Sequence, residues 1–388
     1  MTFIPIKNPE PDFEKLNSVL LGKKEPEKVH FVEMLIDEEI KDGIITRYFG
    51  EKNYPPTVTF GGSTEGEQKK VNIEEAKQAS ERYYKQLIDF YYRLGYSVLT
   101  DYEFLVNFQS FNTVGRIGKD PDSSLNARSE RHWAQEGIGL IKNWEDFEGF
   151  PWKKIEEMVS KYGDHLEFLG KNLPDGMKIA VVGSVLEQVM EWLMGYEGVA
   201  YGAYDQPDLV GAVFDKVGNL VNDLYLISAP MDCVGVIWHG DDIGFKTATM
   251  LSPDLLRKLV FPWFKKYAAI AHKYNKPVWL HACGYKSEIM RDLIDEIGID
   301  AIHSFEDSCC PIVEYKKKYG DEIALIGGLD VDKMTRLSST DFRKYVRYVL
   351  DECMPGGRFA LGSGNSVTNF MTIENFLIML DEGRNYFK

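Results

Sequence analysis

Short apolar runs alternate with amphipathic stretches along most of the 388-residue chain. Each run ends at a Gly or at polar residues, as is typical of strands buried in a parallel sheet. The pattern predicts strands at residues 29–35, 96–100, 178–183, 235–240, 278–284, 301–305, 323–328 and 359–364. Strands that alternate with helices favour a parallel α/β sheet, and eight such units favour a (β/α)₈ TIM barrel. An open doubly wound sheet is the alternative, but no Gly-x-Gly-x-x-Gly motif follows an early strand.

Stretches with the apolar period of a helix lie before and between these strands. They predict helices at residues 13–21, 73–94, 185–195, 207–228, 253–274, 285–297, 310–319 and 340–353. The first is an N-terminal helical extension of the barrel. An insertion of about residues 101–177 follows the second strand and is far longer than a usual connection. It could cover a site at the carboxyl ends of the strands or only elaborate the surface. We expect one barrel domain over residues 1–388.

Composition and charge argue against several classes of protein. The formal net charge is −15, and the longest run of basic residues is the three lysines at 316–318, so no nucleic-acid surface is expected. No apolar stretch reaches the length of a membrane span, and the first residues do not resemble a signal peptide. Five cysteines do not form a disulfide framework. We therefore expect a cytoplasmic protein with reduced thiols and no membrane or nucleic-acid partner.

A His-x-Cys pair stands at the end of the fifth predicted strand, where His281 and Cys283 precede Gly284. Residues two apart in a strand point to the same side, so both side chains can reach one ion. Imidazole and thiolate are good ligands of Zn²⁺. The pair therefore predicts a zinc site, although a buried Cys more often serves as a small apolar residue.

Polar side chains also follow most of the other predicted strands, at the end where barrel active sites are built. The catalytic candidates at these strand ends are His239, Asp241, Asp242 and Glu306. The substrate-binding candidates are Glu33, Trp238, His303, Ser363 and Asn365. Structural roles are the alternatives, because His239 could hydrogen-bond a neighbouring carbonyl and the two aspartates could cap the next helix.

Several motifs resemble those of the uroporphyrinogen decarboxylase superfamily. They are Leu280-His281-Ala282-Cys283-Gly284, Gly327-Gly328-x-Asp330, and Gly362-Ser363-Gly364-Asn365 before Ile373-Glu374-Asn375. Trp238-His239-Gly240-Asp241-Asp242 is similar to the corrinoid-dependent methyltransferase branch of that superfamily. True decarboxylases carry an Arg-rich N-terminal motif, whereas the first Arg of this chain is Arg47. Decarboxylation of uroporphyrinogen is therefore not expected.

The resemblance implies a zinc-assisted methyltransferase. It would move a methyl group between a small O- or N-methylated substrate and the cobalamin of a partner corrinoid protein. The methylcobamide:coenzyme M methyltransferases of the family bind zinc through His-x-Cys and a later Cys, which assigns His281 and Cys283 as metal ligands. Ser363 stands at the position of the later Cys. The candidates for a further ligand are Glu306, Asp242 and His239.

Two other functions remain open at this stage. One is a decarboxylase-like lyase without metal, in which carboxylates at the strand ends act as acid and base. The other is a non-catalytic barrel that binds a tetrapyrrole or another small ligand.

Overall fold

The computed structural model describes residues 5–56, 73–109, 116–119, 130–133 and 139–387. Its α-helices are α1 Phe13–Leu20, α2 Glu38–Ile44, α3 Ile73–Arg93, α4 Glu103–Gln109, α5 Trp144–Gly149, α6 Trp152–Ser160, α7 Tyr162–Asn172, α8 Tyr196–Asp205, α9 Pro207–Ser228, α10 Pro253–Leu259, α11 Phe261–Lys273, α12 Ile312–Tyr319, α13 Val331–Arg336, α14 Ser339–Cys353 and α15 Ile373–Asn385. Its π-helical segments are Ile45–Phe49, Gln188–Leu193 and Asp292–Ile297. Its strands are β1 Val98–Asp101, β2 Arg116–Lys119, β3 Glu130–Trp133, β4 Lys178–Gly183, β5 Val234–Gly240, β6 Val278–His281, β7 Ala301–His303, β8 Ala324–Leu329 and β9 Phe359–Ser363.

Seven parallel strands form one curled sheet in the order β1-β4-β5-β6-β7-β8-β9. Each strand pairs with the one that follows it along the chain, apart from β2 and β3, which form an antiparallel pair inside the insertion. Helices surround the sheet, and its seven strands are buried apart from Lys178 at the start of β4, as expected when both faces of a parallel sheet are covered. The predicted α/β class with a TIM-barrel arrangement is confirmed.

The first predicted strand is an extended segment in the structure. Parallel bridges tie Phe31 to Leu361 and Ile36 to Val367, so the segment lies beside β9. On the side of β1, the Thr100 hydroxyl donates to the carbonyl of Glu33 over 2.8 Å. The prediction of a regular strand over 29–35 was wrong, because the backbone of this segment pairs at isolated points. It nevertheless brings Glu33 into the barrel.

Several predicted boundaries differ from the structure for local reasons. The helix expected at 253–274 is two helices, α10 and α11, and Pro262 near the start of α11 cannot donate the backbone hydrogen bond of a continuous helix. The helices expected at 185–195 and 285–297 are mainly the two later π-helical segments. Strand β6 ends at His281, so Cys283 lies in the following turn. Within the described ranges, no helix is both long enough and apolar enough to cross a membrane.

The chain segments beyond β5 and β6 stay paired after both strands have ended. Gly244 donates its backbone N–H to the Cys283 carbonyl over 3.0 Å, and Tyr285 donates to the Phe245 carbonyl over 2.7 Å. The two backbones approach so closely that a Cβ on Gly284 would lie 2.3 Å from the carbonyl group of Gly244. Gly284 also has a φ of +71°, a conformation that other residues adopt at a cost. Glycine is therefore required at this turn.

Substitution of Gly284 by Ala tests this close approach, with Gly50→Ala as the matched control. Gly50 has nearly the same φ, +72°, but open space where the Cβ would lie. We expect Gly50→Ala to lower the free energy of unfolding by about 1 kcal/mol, from backbone strain alone. Gly284→Ala should cost at least about 2 kcal/mol more, because the added methyl group displaces the facing backbone. Denaturant unfolding of both variants measures the difference, and equal losses would show that the two segments separate freely.

Candidate metal centre

Three potential metal ligands meet at the carboxyl ends of β5 and β6. One ligand atom from each of Asp242, His281 and Cys283 lies within 4.8 Å of the other two. His281 Nε2 is 3.2 Å from Cys283 Sγ and 3.3 Å from Asp242 Oδ1. Tetrahedral Zn²⁺ with ordinary bond lengths sets such atoms about 3.3–3.6 Å apart. The donor set and its spacing therefore fit zinc with one coordination position open. We call these residues the Asp-His-Cys triad.

The paired turns explain why Asp242 reaches the other two residues. Asp241 donates its backbone N–H to the His281 carbonyl over 3.0 Å, which continues the β5–β6 ladder by one residue. Asp242 follows at once, beside the turn that holds Cys283. Of the candidates for a further ligand, the structure thus brings Asp242 to the predicted pair. Glu306 and His239 are not part of the group that the described residues form.

Charge and burial give the triad a defined protonation state. Burial alone would raise the pKa of Asp242, but the hydrogen bond and the charge of His281 hold it below its usual value. Burial and the Asp242 carboxylate raise the pKa of the Cys283 thiol well above its usual value. Asp242 is therefore ionised, whereas Cys283 keeps its proton until a cation competes for the sulfur.

Hydrogen bonds behind the triad orient the ring of His281. His303 Nε2 lies 3.2 Å from the Ser363 carbonyl, which can only accept, so this nitrogen carries the proton. Burial, and then the neighbouring His281, lower the pKa of His303 well below its usual value, so its Nδ1 is unprotonated. This Nδ1 lies 2.7 Å from His281 Nδ1, which must therefore be the donor. His281 Nε2 is thus the ring nitrogen that faces Cys283 and Asp242, and a metal ion would bind there in place of the hydrogen bond to Asp242.

Two further donors surround the sulfur of Cys283. The Ser304 hydroxyl donates to it over 3.2 Å, and Asn365 Nδ2 over 3.1 Å. Asn365 was predicted to bind substrate, and the structure places it against a metal-ligand candidate. Hydrogen bonds of this kind orient a thiolate and stabilise its charge.

Ser363, at the position where the resembling enzymes have a second Cys, does not join the triad. Its hydroxyl lies 2.5 Å from Glu33 Oε2 and 3.0 Å from the Asn365 carbonyl, and its backbone N–H donates to Glu33 Oε1 over 2.9 Å. Complete burial raises the pKa of Glu33 to about 8, with the Ser363 hydrogen bonds acting in the opposite direction. At neutral pH the protonated Glu33 can donate to the Ser363 hydroxyl, which in turn donates to Asn365. The predicted substrate-binding residues Glu33 and Ser363 are therefore engaged with each other.

His239 and Asp241 belong to a separate buried network. His239 Nε2 lies 2.6 Å from Asp241 Oδ2, and the Tyr225 hydroxyl lies 3.1 Å from His239 Nδ1. Asp241 Oδ1 also accepts from the Ser184 hydroxyl over 2.6 Å and from the Glu187 N–H over 3.0 Å. Asp241 thus caps the turn after β4, one strand back from the helix that we expected it to cap. These contacts tie β4 to β5, and the assignment of both residues as catalytic stays a prediction.

The remaining predicted residues lie around the triad at different depths. Trp238 is fully buried, and its ring packs edge-on against Trp279 and His303 with centroid separations of 5.2 and 5.5 Å. Glu306 follows β7, and its backbone N–H donates to the Cys310 sulfur over 3.5 Å. Neither contact assigns a substrate role to Trp238 or a catalytic role to Glu306, so both stay predictions.

Sequence reasoning missed two carboxylates after β4. Burial, and then the charges of Glu191 and Asp242, raise the pKa of Glu187 well above its usual value. Glu191 accepts from the Tyr196 hydroxyl over 2.6 Å. The two glutamates are four residues apart on one helical face behind a strand end, a spacing that could have identified them. Glu187 is therefore a protonated carboxyl group whose pKa responds to the charge of Asp242.

The chain belongs to the uroporphyrinogen decarboxylase (URO-D) family, whose family model matches residues 148–386. A solved methyltransferase from Methanosarcina mazei is similar in structure, with a TM-score of 0.62 and 13% sequence identity over 98% of this chain and 100% of that chain. A Listeria monocytogenes protein, provisionally assigned as a vitamin-B12-independent methionine synthase, has a TM-score of 0.48 and 11% identity over 93% of this chain and 98% of its own. None of the curated proteins matches the chain. The family model confirms the predicted membership of the uroporphyrinogen decarboxylase superfamily, and the first of these solved structures supports the barrel fold.

Replacement of His303 tests its role in orienting His281. His303→Phe keeps a ring of similar size but removes the acceptor for His281 Nδ1–H. We expect it to weaken Zn²⁺ binding about 10- to 100-fold. His303→Gln, which keeps an acceptor and a donor, should bind more tightly than His303→Phe. Competition with a chromophoric chelator measures both affinities, and equal values for the wild-type protein and His303→Phe would contradict the hydrogen-bond chain.

Glu33→Gln tests the raised pKa of Glu33 through the pH dependence of stability. The folded protein holds the Glu33 proton between the ordinary pKa of 4.5 and about 8, and the unfolded chain does not. Stability from this group is therefore full below pH 4.5, falls as the pH rises to about 8, and is constant above it. At about 1.4 kcal/mol for each pKa unit, the loss amounts to a few kcal/mol. Gln mimics the protonated acid, so the stability of Glu33→Gln relative to wild type should rise over this window in denaturant unfolding. A difference independent of pH would contradict the assignment.

Proposed function

We propose that the protein transfers a methyl group between a small O- or N-methylated substrate and the cobalamin of a partner corrinoid protein. In this proposal Zn²⁺ is held by Asp242, His281 and Cys283. The Asp-His-Cys triad carries the proposal, because it offers three protein ligands and an open position at the active-site end of a barrel. Membership of the URO-D family and the structural similarity to a methyltransferase support it.

The residues around the triad have separate tasks in this reaction. Bound Zn²⁺ would act as a Lewis acid on the heteroatom that carries the methyl group. Asp242 and Cys283 contribute two negative charges and His281 contributes a neutral nitrogen, so the ligand set balances the charge of the ion. Ser304 and Asn365 orient the sulfur through their hydrogen bonds.

The position of Ser363 bears on the kind of substrate. Its hydroxyl is engaged with Glu33, and the third potential ligand in the group is an oxygen of Asp242, whereas the resembling enzymes use a second sulfur. A set of one nitrogen, one oxygen and one sulfur is harder than a set with two sulfurs. We therefore favour a substrate whose methyl group is bonded to oxygen or nitrogen over one whose methyl group is bonded to sulfur. The single domain and the cytoplasmic location stay predictions.

Metal analysis of Cys283→Ala provides the first test, with Cys233→Ala as its control. Cys233 lies at the opposite end of the barrel, just before β5, and its thiol donates to the Leu166 carbonyl. We expect about one Zn²⁺ per chain in the wild-type protein and in Cys233→Ala, and loss of most of it in Cys283→Ala, because only Cys283 is a ligand. Negligible zinc in all three proteins would end the proposal.

Activity is tested by mixing the full chain with cob(I)alamin and a panel of methoxylated and N-methylated compounds. We expect the corrin spectrum to change to that of methylcobalamin with one class of donor, and the rate to fall at least about 100-fold in Cys283→Ala. Decarboxylation that survives a chelator would favour the metal-free lyase instead. Tight tetrapyrrole binding without turnover would favour a binding protein.

A further inference from the structure

Lys286 is a fully buried lysine close to the triad that neither the motif nor the proposed reaction explains. None of its side chain is exposed, and its partners among the described residues include no carboxylate. An ammonium group removed from water is costly unless its protons find acceptors.

The two backbone acceptors of Lys286 lie in the turns that follow β6 and β7. Its Nζ donates to the Ser304 carbonyl over 2.8 Å and to the Gly284 carbonyl over 3.1 Å. A third contact, of 3.5 Å, is made with the Cys310 sulfur. The rings of Phe305 and Tyr315 lie 5.2 and 5.4 Å from the ammonium, within the range of cation–π attraction. The ammonium therefore links the turn after β6 to the turn after β7.

Ser304 has an unusual backbone conformation, and its carbonyl accepts a hydrogen bond from Lys286. Its φ is +84°, in the left-handed region that residues other than Gly adopt at a cost. Its carbonyl accepts from Lys286, and its hydroxyl donates to Cys283 Sγ. Strain of this kind persists only where neighbouring contacts fix it. The two hydrogen bonds of Ser304 are the contacts that do so.

We propose that Lys286 is a positioning residue for the metal centre. By binding the carbonyls of Gly284 and Ser304, it holds the two turns together and keeps the Ser304 hydroxyl on the sulfur of Cys283. The inference rests on the proposed function, because it takes Cys283 as a metal ligand. It adds that the geometry around the sulfur depends on a residue that touches no metal ligand.

Lys286→Met in the full chain is the principal variant, because Met fills similar volume between the aromatic rings without a donor. We expect its Zn²⁺ affinity to fall about 10- to 100-fold. We also expect the thiolate-to-metal absorption band of the Co²⁺-loaded protein to shift or weaken, because the donors around the sulfur move. Lys276→Met is the control. Lys276 is half-buried and donates to the Met231 carbonyl at the opposite end of the same strand. Its replacement should change neither measurement.

A double-mutant cycle shows whether Lys286 acts through Ser304. Ser304→Ala removes only the hydroxyl. If Lys286 positions that hydroxyl, the combined variant should lose less affinity than the product of the two single losses. Fully multiplicative losses, together with an unchanged Co²⁺ band in Lys286→Met, would show a merely structural role and would overturn the inference.

The alkylation rate of Cys283 separates failure of this inference from failure of the proposed function. It is measured with iodoacetamide in chelator-treated protein by mass spectrometry, so it needs no bound metal. Lys286→Met and Ser304→Ala should each change the rate several-fold, whereas Lys276→Met should leave it at the wild-type value. A wild-type protein that binds neither ion refutes the zinc proposal, and the alkylation rates still test Lys286. If Lys286→Met does not fold, Lys286→Gln replaces it; Gln keeps a donor on a shorter side chain, so smaller changes in the same directions are expected.

Discussion

The candidate metal centre depends on the close pairing of two backbone segments that lie just beyond their strands. Beyond β5 and β6, hydrogen bonds continue between the segments that contain Gly244 and Gly284, and neither position has room for a side chain. This pairing sets Asp242 beside His281 and Cys283. Ligands from two different βα units could not otherwise be fixed to within a few tenths of an ångström, because loops without such pairing are mobile.

Behind the ligands lies a layer of polar contacts that orients them. His303 accepts a hydrogen bond from His281 Nδ1, and Asn365 and Ser304 donate to the sulfur of Cys283. The contact of Asp241 with His239 belongs to the network that joins β4 to β5. All of these groups except the half-buried Asn365 are buried, so each unsatisfied donor or acceptor would be costly. The network therefore restricts the positions of the ligand side chains, and it engages many of the polar residues at the strand ends with one another.

The sequence predicted the barrel class and the His-x-Cys pair because both depend on local signals. Apolar runs indicate strands, and two potential ligands that are close in the chain can be recognised without knowledge of the fold. Asp242 was one of three candidates, since only the register of β5 against β6 decides which of two adjacent aspartates faces the pair. Lys286 was missed because its shortest hydrogen bond is to the Ser304 carbonyl of the next unit. Glu187 was missed although its spacing from Glu191 was a local signal. The regular strand expected at 29–35 failed for a similar reason, as its pairing depends on β9, more than three hundred residues away.

The engagement of Ser363 with Glu33 has a consequence for the chemistry of oxidation. A centre with two cysteine ligands can expel its ion when an oxidant joins the two sulfurs in a disulfide, because the thiolates are then lost as ligands. The triad has one sulfur, so its ligand set cannot close such a bond within itself. Oxidants would have to attack Cys283 directly, and this thiol is buried beneath two hydrogen-bond donors. A zinc ion held as we propose would therefore not be lost through a disulfide within its own ligand set.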